Sequence, residues 1–238
     1  MIFNLFKSKP TLKELIPNGF VDIHSHILPG IDDGAKDVED SLKLISKMKK
    51  IGFSKIIGTP HIYPGVYNNS LETISKAFDK IDNTELDISF AAEYFICEEM
   101  IKEIEKKSLL TIKNKYVLVE TNFMSLPKNF FDIIFKLRTN GYQPIIAHPE
   151  RYTYLSLEQF FKLKKIGCQF QLNLFTTTGF YGLRVLDLAN KLINKKLINF
   201  VGSDIHNLST MIQFDNKIKI SEIQLLEKII ENTSNTFN

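Results

Sequence analysis

The sequence predicts an α/β fold in which seven parallel strands alternate with helices in a closed or nearly closed barrel. Seven short, mostly apolar segments each precede a segment with helical periodicity, and this alternation is typical of a parallel sheet. The composition does not change along the 238 residues, which favours a single domain. An open doubly wound sheet is the alternative, although the chain contains neither G-x-G-x-x-G nor G-x-x-x-x-G-K-[ST].

The predicted elements follow one another with short connections. Residues 1–19 are expected to form a leader with one short amphipathic turn at Leu12, Leu15 and Ile16. β-branched and apolar runs predict strands at 20–27, 55–61, 87–93, 116–120, 144–148, 168–173 and 198–204. Helices are predicted at about 37–52, 70–81, 98–107, 128–140, 157–167, 183–195 and 221–231. The barrel domain is therefore expected over 20–231, and the tail 232–238 is expected to be frayed and flexible.

The charge balance and the cysteine content exclude several classes of protein. Thirty Lys and Arg residues against 27 Asp and Glu residues give a net charge of +3 with dispersed lysines, which does not favour nucleic acid as a partner. The two cysteines, Cys97 and Cys168, have no C-x-x-C spacing and suit a reducing compartment. Neither begins a C-x₅-R sequence, so both are interpreted as packing residues. Without a signal peptide or an 18-residue apolar run, we expect a cytoplasmic protein with no membrane span.

The organising stretch of the chain is Val21-Asp22-Ile23-His24-Ser25-His26-Ile27-Leu28-Pro29-Gly30-Ile31-Asp32-Asp33-Gly34. His24 and His26 are two residues apart on a predicted strand and therefore point to the same face. Two imidazoles so placed provide half of a site for a divalent metal ion. Asp22, Asp32 and Asp33 add oxygen ligands nearby. Taken alone, the pattern fits equally well a buried strand whose histidines are satisfied by backbone groups.

The remaining histidines favour the metal site. All five histidines fall at or just past the end of a predicted strand, the face on which a barrel builds its active site: His24, His26, His61, His148 and His206. Four carboxylates are expected at the same level of the barrel, near the ends of predicted strands 1, 3, 4 and 7: Asp33, Glu93, Glu120 and Asp204. Ligands of this kind without thiolate suit Mn, Fe, Co or Zn. Nine candidates exceed the needs of one ion, and two or three ions with bridging carboxylates are typical of phosphoester hydrolysis.

Arg151 adds a second indication of phosphate chemistry. It is one of three arginines and lies in His148-Pro149-Glu150-Arg151, three residues beyond a proposed ligand. A guanidinium group matches two phosphate oxygens in a way that lysine does not. The alternative is an ion pair with Glu150 or another surface group.

Aromatic residues near the same strand ends provide candidates for substrate binding. Tyr63 and Tyr67 follow the second predicted strand, and Phe123 and Phe175 follow the fourth and sixth. Their rings can shape the entrance for an aromatic substrate, with Tyr67 as the candidate contact. Packing within the loops explains these residues equally well.

Six motifs together resemble those of the PHP (polymerase and histidinol phosphatase) superfamily, and more closely its bacterial CpsB/YwqE-type protein-tyrosine-phosphatase branch. The motifs occur in the family's order over about residues 18–210: His24-Ser25-His26-Ile27-Leu28-Pro29-Gly30-Ile31-Asp32-Asp33-Gly34, Thr59-Pro60-His61, Ala92-Glu93, Val119-Glu120-Thr121, His148-Pro149-Glu150-Arg151 and Gly202-Ser203-Asp204-Ile205-His206-Asn207. The resemblance implies a distorted (β/α)7 TIM-like barrel, the PHP fold, with a trinuclear metal site.

The resemblance also implies roles for individual residues. The first ion would be held by His24, His26 and Asp204, with Glu93 as a bridge to the second, which Glu120 and His148 complete. The third ion would be held by Asp33, His61 and His206. Arg151 would contact phosphate. The family often places a second arginine five residues after the last motif histidine, where this chain has Met211.

The implied activity is hydrolysis of phosphotyrosine by a metal-activated hydroxide. Arg151 would neutralise charge on the phosphoryl oxygens, and Asp33 or His206 would assist the departure of the phenolate. The implied cofactors are two or three divalent ions, Mn²⁺ first, with Zn²⁺, Fe²⁺ or Co²⁺ as alternatives. The implied partner is the phosphorylated tail of a tyrosine kinase of capsular or exopolysaccharide synthesis. The alternatives are another PHP phosphomonoesterase such as a histidinol-phosphate phosphatase, a metal-dependent amidohydrolase, and a non-catalytic metal-binding regulatory protein, which Met211 keeps open.

Overall fold

The computed structural model describes residues 8–81 and 86–238. Its strands are β1 (Phe20–Ser25), β2 (Phe53–Gly58), β3 (His61–Ile62), β4 (Asp87–Phe90), β5 (Glu93–Phe95), β6 (Tyr116–Glu120), β7 (Gln143–Ala147), β8 (Gln169–Asn173) and β9 (Phe200–Gly202). Its α-helices are α1 (Leu12–Leu15), α2 (Val38–Ile51), α3 (Leu71–Phe78), α4 (Met100–Lys106), α5 (Phe130–Thr139), α6 (Leu157–Ile166), α7 (Leu183–Asn194) and α8 (Ile223–Phe237). Short 3₁₀ helices span Pro149–Arg151, Leu174–Thr178 and Leu208–Asp215.

The strands form two parallel sheets, β1-β2-β4 and β3-β5-β6-β7-β8-β9. The predicted strand 55–61 is divided into β2 and β3 around Thr59 and Pro60, and the predicted strand 87–93 is divided into β4 and β5. Proline has no backbone N–H to donate to a ladder, which explains why the first of these strands is interrupted. The predicted single-domain α/β architecture with parallel strands is confirmed.

Backbone hydrogen bonds connect the end of the last strand to the end of the first. The His26 N–H donates to the Ile205 carbonyl at 2.9 Å, and the Asp204 N–H donates to the His24 carbonyl at 2.7 Å. Ser25 and Ile205 form a parallel bridge. The first and last members of the strand order therefore lie side by side, as a distorted barrel requires.

Local sequence signals explain where the helices begin and end. The Asp37 carboxylate accepts from the Asp40 N–H at the start of α2, and Gly52 ends this helix with a φ of 122°. Ser156 forms a capping box with Gln159 at the start of α6, and Gly167 ends it. These helices bury Leu44, Met48, Phe160 and Leu163 against the sheet, among other apolar residues.

The C-terminal segment differs from the prediction. The frayed tail expected over 232–238 is wrong, because α8 continues to Phe237. The Phe237 ring is fully buried, with its centroid 5.2 Å from that of Tyr116 and 4.9 Å from that of Phe200. The Thr233 hydroxyl also accepts from the Val201 N–H at 2.9 Å. Two buried anchors one helical turn apart explain why a segment of polar composition is helical.

The N-terminal prediction is tested only in part. Residues 1–7 of the expected leader lie outside the described residues. The expected amphipathic turn is α1, which begins with a capping box between Thr11 and Glu14 and buries Leu12 completely. In the described part of the chain, we find no helix with the length and apolar character that a membrane crossing needs.

Candidate metal centre and active site

The nine residues predicted as metal ligands converge at the carboxyl end of the strands. Glu120 ends β6, and five residues lie in the segments that follow β1, β7 or β9: His26, Asp33, His148, Asp204 and His206. His24 lies near the end of β1, and His61 and Glu93 begin β3 and β5. Each has a nitrogen or oxygen within 3.9 Å of an oxygen or nitrogen of another member. Three groups within this cluster have the spacing that a metal ion needs.

The first group is fully buried and contains His24, His26, Glu93 and Asp204. Glu93 Oε2 lies 3.1 Å from His24 Nε2 and 3.4 Å from His26 Nε2. Asp204 Oδ1 lies 3.3 Å and 3.4 Å from the same two nitrogens. Two nitrogens and two carboxylate oxygens thus surround one point, which is the donor set that a divalent ion requires.

Outer hydrogen bonds orient these two imidazoles. His24 Nδ1 lies 2.8 Å from Gln171 Oε1, and His26 Nδ1 lies 2.8 Å from Asp32 Oδ2. When each Nδ1 carries the donated proton, the two Nε2 atoms present lone pairs to each other at 3.3 Å. Facing lone pairs at this distance repel each other unless a metal ion or a proton lies between them, so the arrangement fits a metal ion.

The second group contains His61, Glu93 and Glu120. His61 Nδ1 lies 3.2 Å from Glu93 Oε2 and 3.1 Å from Glu120 Oε1. His148 Nε2 approaches the same carboxylates, at 3.0 Å from Glu93 Oε1 and 3.9 Å from Glu120 Oε2. His61 Nδ1 and Glu93 Oε2 are buried without a hydrogen-bond partner, which is the state expected of atoms that serve as metal ligands.

The third group contains Asp33, His61 and His206 together with His26. Asp33 Oδ1 lies 3.5 Å from His61 Nε2 and 3.6 Å from His206 Nε2. His206 Nδ1 lies 2.9 Å from the Asp204 carbonyl oxygen, which again leaves Nε2 to face the group. His61 therefore belongs to two groups, one through each ring nitrogen.

The electrostatics of the cluster are those of tightly paired charges. Burial alone would raise the pKa of Glu93 and Asp204, but the facing imidazoles hold both values well below the usual range. Burial alone would lower the pKa of His24, but Glu93 and Asp204 raise it to about 9. Without metal, the His24 imidazole therefore carries a proton at neutral pH, which compensates part of the charge of the buried carboxylates. Metal binding at these residues therefore releases protons.

Two predicted oxygen ligands have other roles. Asp22 accepts from the Ser203 N–H at 2.9 Å and from the His24 N–H at 3.3 Å. Asp32 accepts from His26 Nδ1 and from the Gly34 and His61 N–H groups. Neither carboxylate belongs to one of the three groups, and the hydrogen bonds of Asp22 and Asp32 favour a supporting role over the expected role as ligands. Both instead hold the backbone and imidazoles that present the ligands.

Glycine and unusual backbone geometry allow the ligands to approach one another. A Cβ at Gly34 would overlap the His26 carbonyl oxygen, and a Cβ at Gly202 would overlap the His24 Cβ. Asp204 and His148 have φ values of 52° and 33°, in the left-handed region that non-glycine residues rarely adopt. Such conformations are typical of functional sites, where the surroundings hold the strain.

A cavity of about 450 Å³ opens above the cluster. Arg151 lines it, with Nη1 3.4 Å from Asp204 Oδ2 and the guanidinium carbon 4.2 Å and 4.9 Å from the ring centroids of Phe123 and Tyr181. Its side chain is 26% exposed, so part of the donor fork faces the cavity. The alternative ion pair with Glu150 is not formed, because Glu150 Oε1 accepts from Asn173 and Thr176.

The aromatic candidates also line this cavity: Tyr63, Tyr67, Phe123 and Phe175. The Tyr67 ring stacks on His61 at a centroid distance of 5.5 Å. Tyr63 stacks on Phe95 at 3.9 Å. The rings therefore both pack within the loops and form the cavity wall, so the two alternatives do not exclude each other.

Met211 does not contribute to the cavity. Its side chain is buried, and it lies in a separate groove with Lys47 and Phe214. Asn207 and Thr210 of the same segment line the active-site cavity instead. The position where the family often has arginine is thus a packing position in this chain.

The sequence analysis missed two polar residues that hold the site, Gln171 and Asn173. Gln171 on β8 positions His24. Asn173 Nδ2 lies 2.9 Å from Asp204 Oδ2 and 3.1 Å from the Tyr181 hydroxyl. The only sequence feature that points to them is the occurrence of polar residues in the buried strand Gln-Phe-Gln-Leu-Asn, where an apolar run is expected.

The cysteines do not take part in the site. Burial raises the pKa of Cys97 to about 11 and that of Cys168 to about 12. Neither residue lines the active-site cavity. Both match the predicted packing role.

Comparisons with known proteins give the family. Residues 20–219 match the model of the family described as "Capsular polysaccharide synthesis, CpsB/CapC". The tyrosine-protein phosphatase YwqE of Bacillus subtilis is 32% identical over 199 residues, covering 80% of this chain and 78% of YwqE. The putative tyrosine-protein phosphatase CapC of Staphylococcus aureus is 29% identical, covering 79% of this chain and 78% of CapC.

Solved structures agree with this assignment. A structure described with YwqE of Bacillus subtilis and CpsB of Streptococcus pneumoniae, "unique metal-dependent tyrosine phosphatases", superposes with a TM-score of 0.76 and 29% identity, covering 90% of this chain and 95% of that one. The phosphotriesterase homology protein of Escherichia coli superposes with a TM-score of 0.55 at 15% identity, covering 93% of this chain and 99% of that chain, and shows the fold alone. The chain belongs to the CpsB/CapC family of capsular polysaccharide synthesis.

Proposed function

We propose that this protein is a metal-dependent protein-tyrosine phosphatase. The observation that carries the proposal is the position of Arg151, which shares Asp204 with the buried ligand group and faces the cavity above it. A cation that binds phosphate directly beside clustered metal ligands is the arrangement that phosphoryl transfer needs. The tyrosine-phosphatase names of YwqE, CapC and CpsB support the same activity.

The proposed cofactors are two or three divalent ions, with Mn²⁺ the first candidate and Zn²⁺, Fe²⁺ or Co²⁺ as alternatives. His24, His26, Glu93 and Asp204 would hold one ion, and His61, Glu93, Glu120 and His148 would hold a second. Asp33, His61 and His206 would hold a third. Such ions supply a Lewis acid for phosphoryl oxygens and lower the pKa of water.

The protein's own groups bind and orient the substrate. The guanidinium group of Arg151 binds two phosphoryl oxygens. The rings of Phe123 and Tyr181 pack against this group and limit its orientation. Tyr67 forms a wall of the cavity at which the substrate ring binds. When only the first two ions are bound, Asp33 or His206, whose facing atoms lie 3.6 Å apart at the cavity, is free to deliver the proton to the leaving phenolate oxygen.

We propose that the partner is the phosphorylated tail of a tyrosine kinase of capsular or exopolysaccharide synthesis, and that the two proteins interact in the cytoplasm. The family description supports a role in capsule synthesis. The cavity is open at the mouth, so a side chain on a polypeptide can enter while the main chain stays outside.

The test is hydrolysis by metal-stripped protein refilled with Mn²⁺, Zn²⁺, Co²⁺ or Mg²⁺. We expect turnover of a phosphotyrosine peptide to exceed turnover of histidinol phosphate, and His148→Ala to abolish both. The reverse order of substrates would support a histidinol-phosphate phosphatase. Bound metal without hydrolysis of any monoester would support a non-catalytic protein.

A further inference from the structure

The mouth of the active-site cavity carries an unusual concentration of exposed apolar side chains. Val66, Phe123 and Phe180 line the cavity and are 56%, 44% and 46% exposed. Met124 and Leu183, next to these segments, are 81% and 75% exposed. We name these five residues the apolar rim. Exposed apolar area gathered at one place marks an interaction surface more often than scattered residues do.

Three rim residues line the cavity from three separate segments, and Met124 and Leu183 are close to two of them in the chain. Val66 lies between β3 and α3, Phe123 and Met124 follow β6, and Phe180 and Leu183 lie between β8 and the body of α7. Any group that enters the cavity from a larger molecule passes between these loops. The segment that carries this group therefore covers the rim when the group is bound.

The charges at the mouth disfavour an acidic segment. Among the described residues that line the cavity, Arg151 is the only lysine or arginine, and it already contacts Asp204. Asp33 is half-exposed at the same mouth. An acidic residue beside the phosphate would thus find no lysine or arginine other than Arg151 among these lining residues, whereas apolar residues would meet the rim.

We propose that the rim is a docking surface for the peptide that carries the phosphotyrosine, and that it selects apolar and aromatic residues beside the phosphorylated side chain. This inference rests on the proposed function and specifies its substrate class. A small phosphomonoester occupies the cavity without covering the rim. The rim residues act on peptide affinity, and Arg151 and the ligand cluster act on the phosphate itself.

The test measures binding apart from turnover. Fluorescent peptides carry the non-hydrolysable mimic phosphonomethyl-phenylalanine with Leu and Tyr, Gly and Ser, or Asp and Glu on both sides, and fluorescence anisotropy gives Kd for the metal-loaded full-length protein. We expect the apolar-flanked peptide to bind about tenfold more tightly than the other two. Met124→Ser combined with Leu183→Ser should remove this difference. Phe135→Ser, which changes a side chain 62% exposed on α5, is the matched control and should preserve it.

Several results would overturn the inference. These are equal Kd values for the three peptides, tighter binding of the acidic peptide, no binding of any peptide, or a difference that survives the double substitution. A dimer in sedimentation velocity that the double substitution abolishes would make the rim a contact between two copies and would also overturn it. Selective binding of the mimic without hydrolysis of phosphotyrosine would instead remove the proposed function and leave the rim preference standing.

Discussion

Arg151 Nη1 lies 3.4 Å from Asp204 Oδ2, while the other oxygen of Asp204 lies 3.3 Å from His24 Nε2. One carboxylate therefore connects Arg151, which lines the cavity, to the buried ligand group. Asn173 Nδ2 binds the same Oδ2 at 2.9 Å and holds the carboxylate in place. In the proposed function, a fixed Asp204 sets the distance between the phosphate bound by Arg151 and the ligand cluster.

This geometry predicts that Arg151 cannot be replaced by another cation. We expect Arg151→Ala to lower kcat/KM on p-nitrophenyl phosphate by roughly 10²-fold, because a charged two-point contact to the phosphoryl oxygens is lost. Arg151→Lys should raise kcat/KM by less than about tenfold above the Arg151→Ala value, since lysine lacks the two-pronged donor geometry and the planar stacking surface of a guanidinium group. Arg184→Lys is the control, because Arg184 is exposed and its side chain donates a hydrogen bond to the Thr153 carbonyl, away from the ligand cluster. Full recovery in Arg151→Lys would contradict the two-point contact.

Gln171 provides a test of the outer hydrogen bonds. Gln171→Ala removes the acceptor for His24 Nδ1, so the imidazole loses its fixed orientation. We expect the affinity for Mn²⁺ or Zn²⁺, measured by isothermal titration calorimetry, to fall by about 10–100-fold. Gln224→Ala, on the exposed side of α8, should leave the affinity unchanged. An unchanged affinity in Gln171→Ala would show that Gln171 does not position the ligand.

Much of this site was predictable because its residues occur in short motifs at strand ends. Alternation placed His24 and His26 on one face, and the parallel strands brought Glu93, Glu120 and Asp204 to the same edge. The nine residues predicted as ligands do lie in one cluster, and their role as ligands stays a prediction. The sharing of His61 between two groups depends on the rotation of one ring, which no sequence pattern specifies.

Other features depend on contacts between distant parts of the chain. Gln171 pairs with His24 across 147 positions, and a single glutamine in a strand does not indicate such a partner. The polar residues of 232–238 led to the prediction of a frayed tail, because the burial of Phe237 depends on the rings of Tyr116 and Phe200, which are distant in sequence. Asp22 and Asp32 carry the same carboxylate group as the candidate ligands. Only the backbone N–H groups that donate to them in the folded chain distinguish their supporting role from a ligand role.

The cysteines should be irrelevant to activity. Burial raises the pKa of Cys97 to about 11 and that of Cys168 to about 12, so fewer than about one thiol in a thousand is ionised at pH 7.5. We expect iodoacetamide at this pH to leave p-nitrophenyl phosphate hydrolysis unchanged, while the same treatment inactivates a cysteine-dependent phosphatase used as a control. Stoichiometric inactivation would show that a thiol takes part in the reaction.

The C-terminal helix should contribute strongly to stability. Phe237→Ala removes a fully buried ring and leaves a cavity between Tyr116 and Phe200, at a cost of about 3–5 kcal/mol in the free energy of unfolding. For a chain of this length, we expect the midpoint of thermal unfolding to fall by about 10 °C. Glu231→Ala, an exposed position on the same helix, is the control. Equal midpoints for both variants would contradict the packing of the tail.

The central claim is that the cluster around Glu93 holds the metal ions on which hydrolysis depends. Glu93 Oε2 faces His24, His26 and His61 within 3.4 Å, so Glu93→Gln changes the shared ligand at almost unchanged volume. The most direct measurement is metal content, by plasma mass spectrometry, together with phosphotyrosine-peptide turnover after stripping and refilling with Mn²⁺. We predict at least two ions per wild-type chain with restored turnover, and fewer ions with turnover lowered by at least about 10²-fold in Glu93→Gln. Equal metal content and equal turnover in the two proteins would contradict the account.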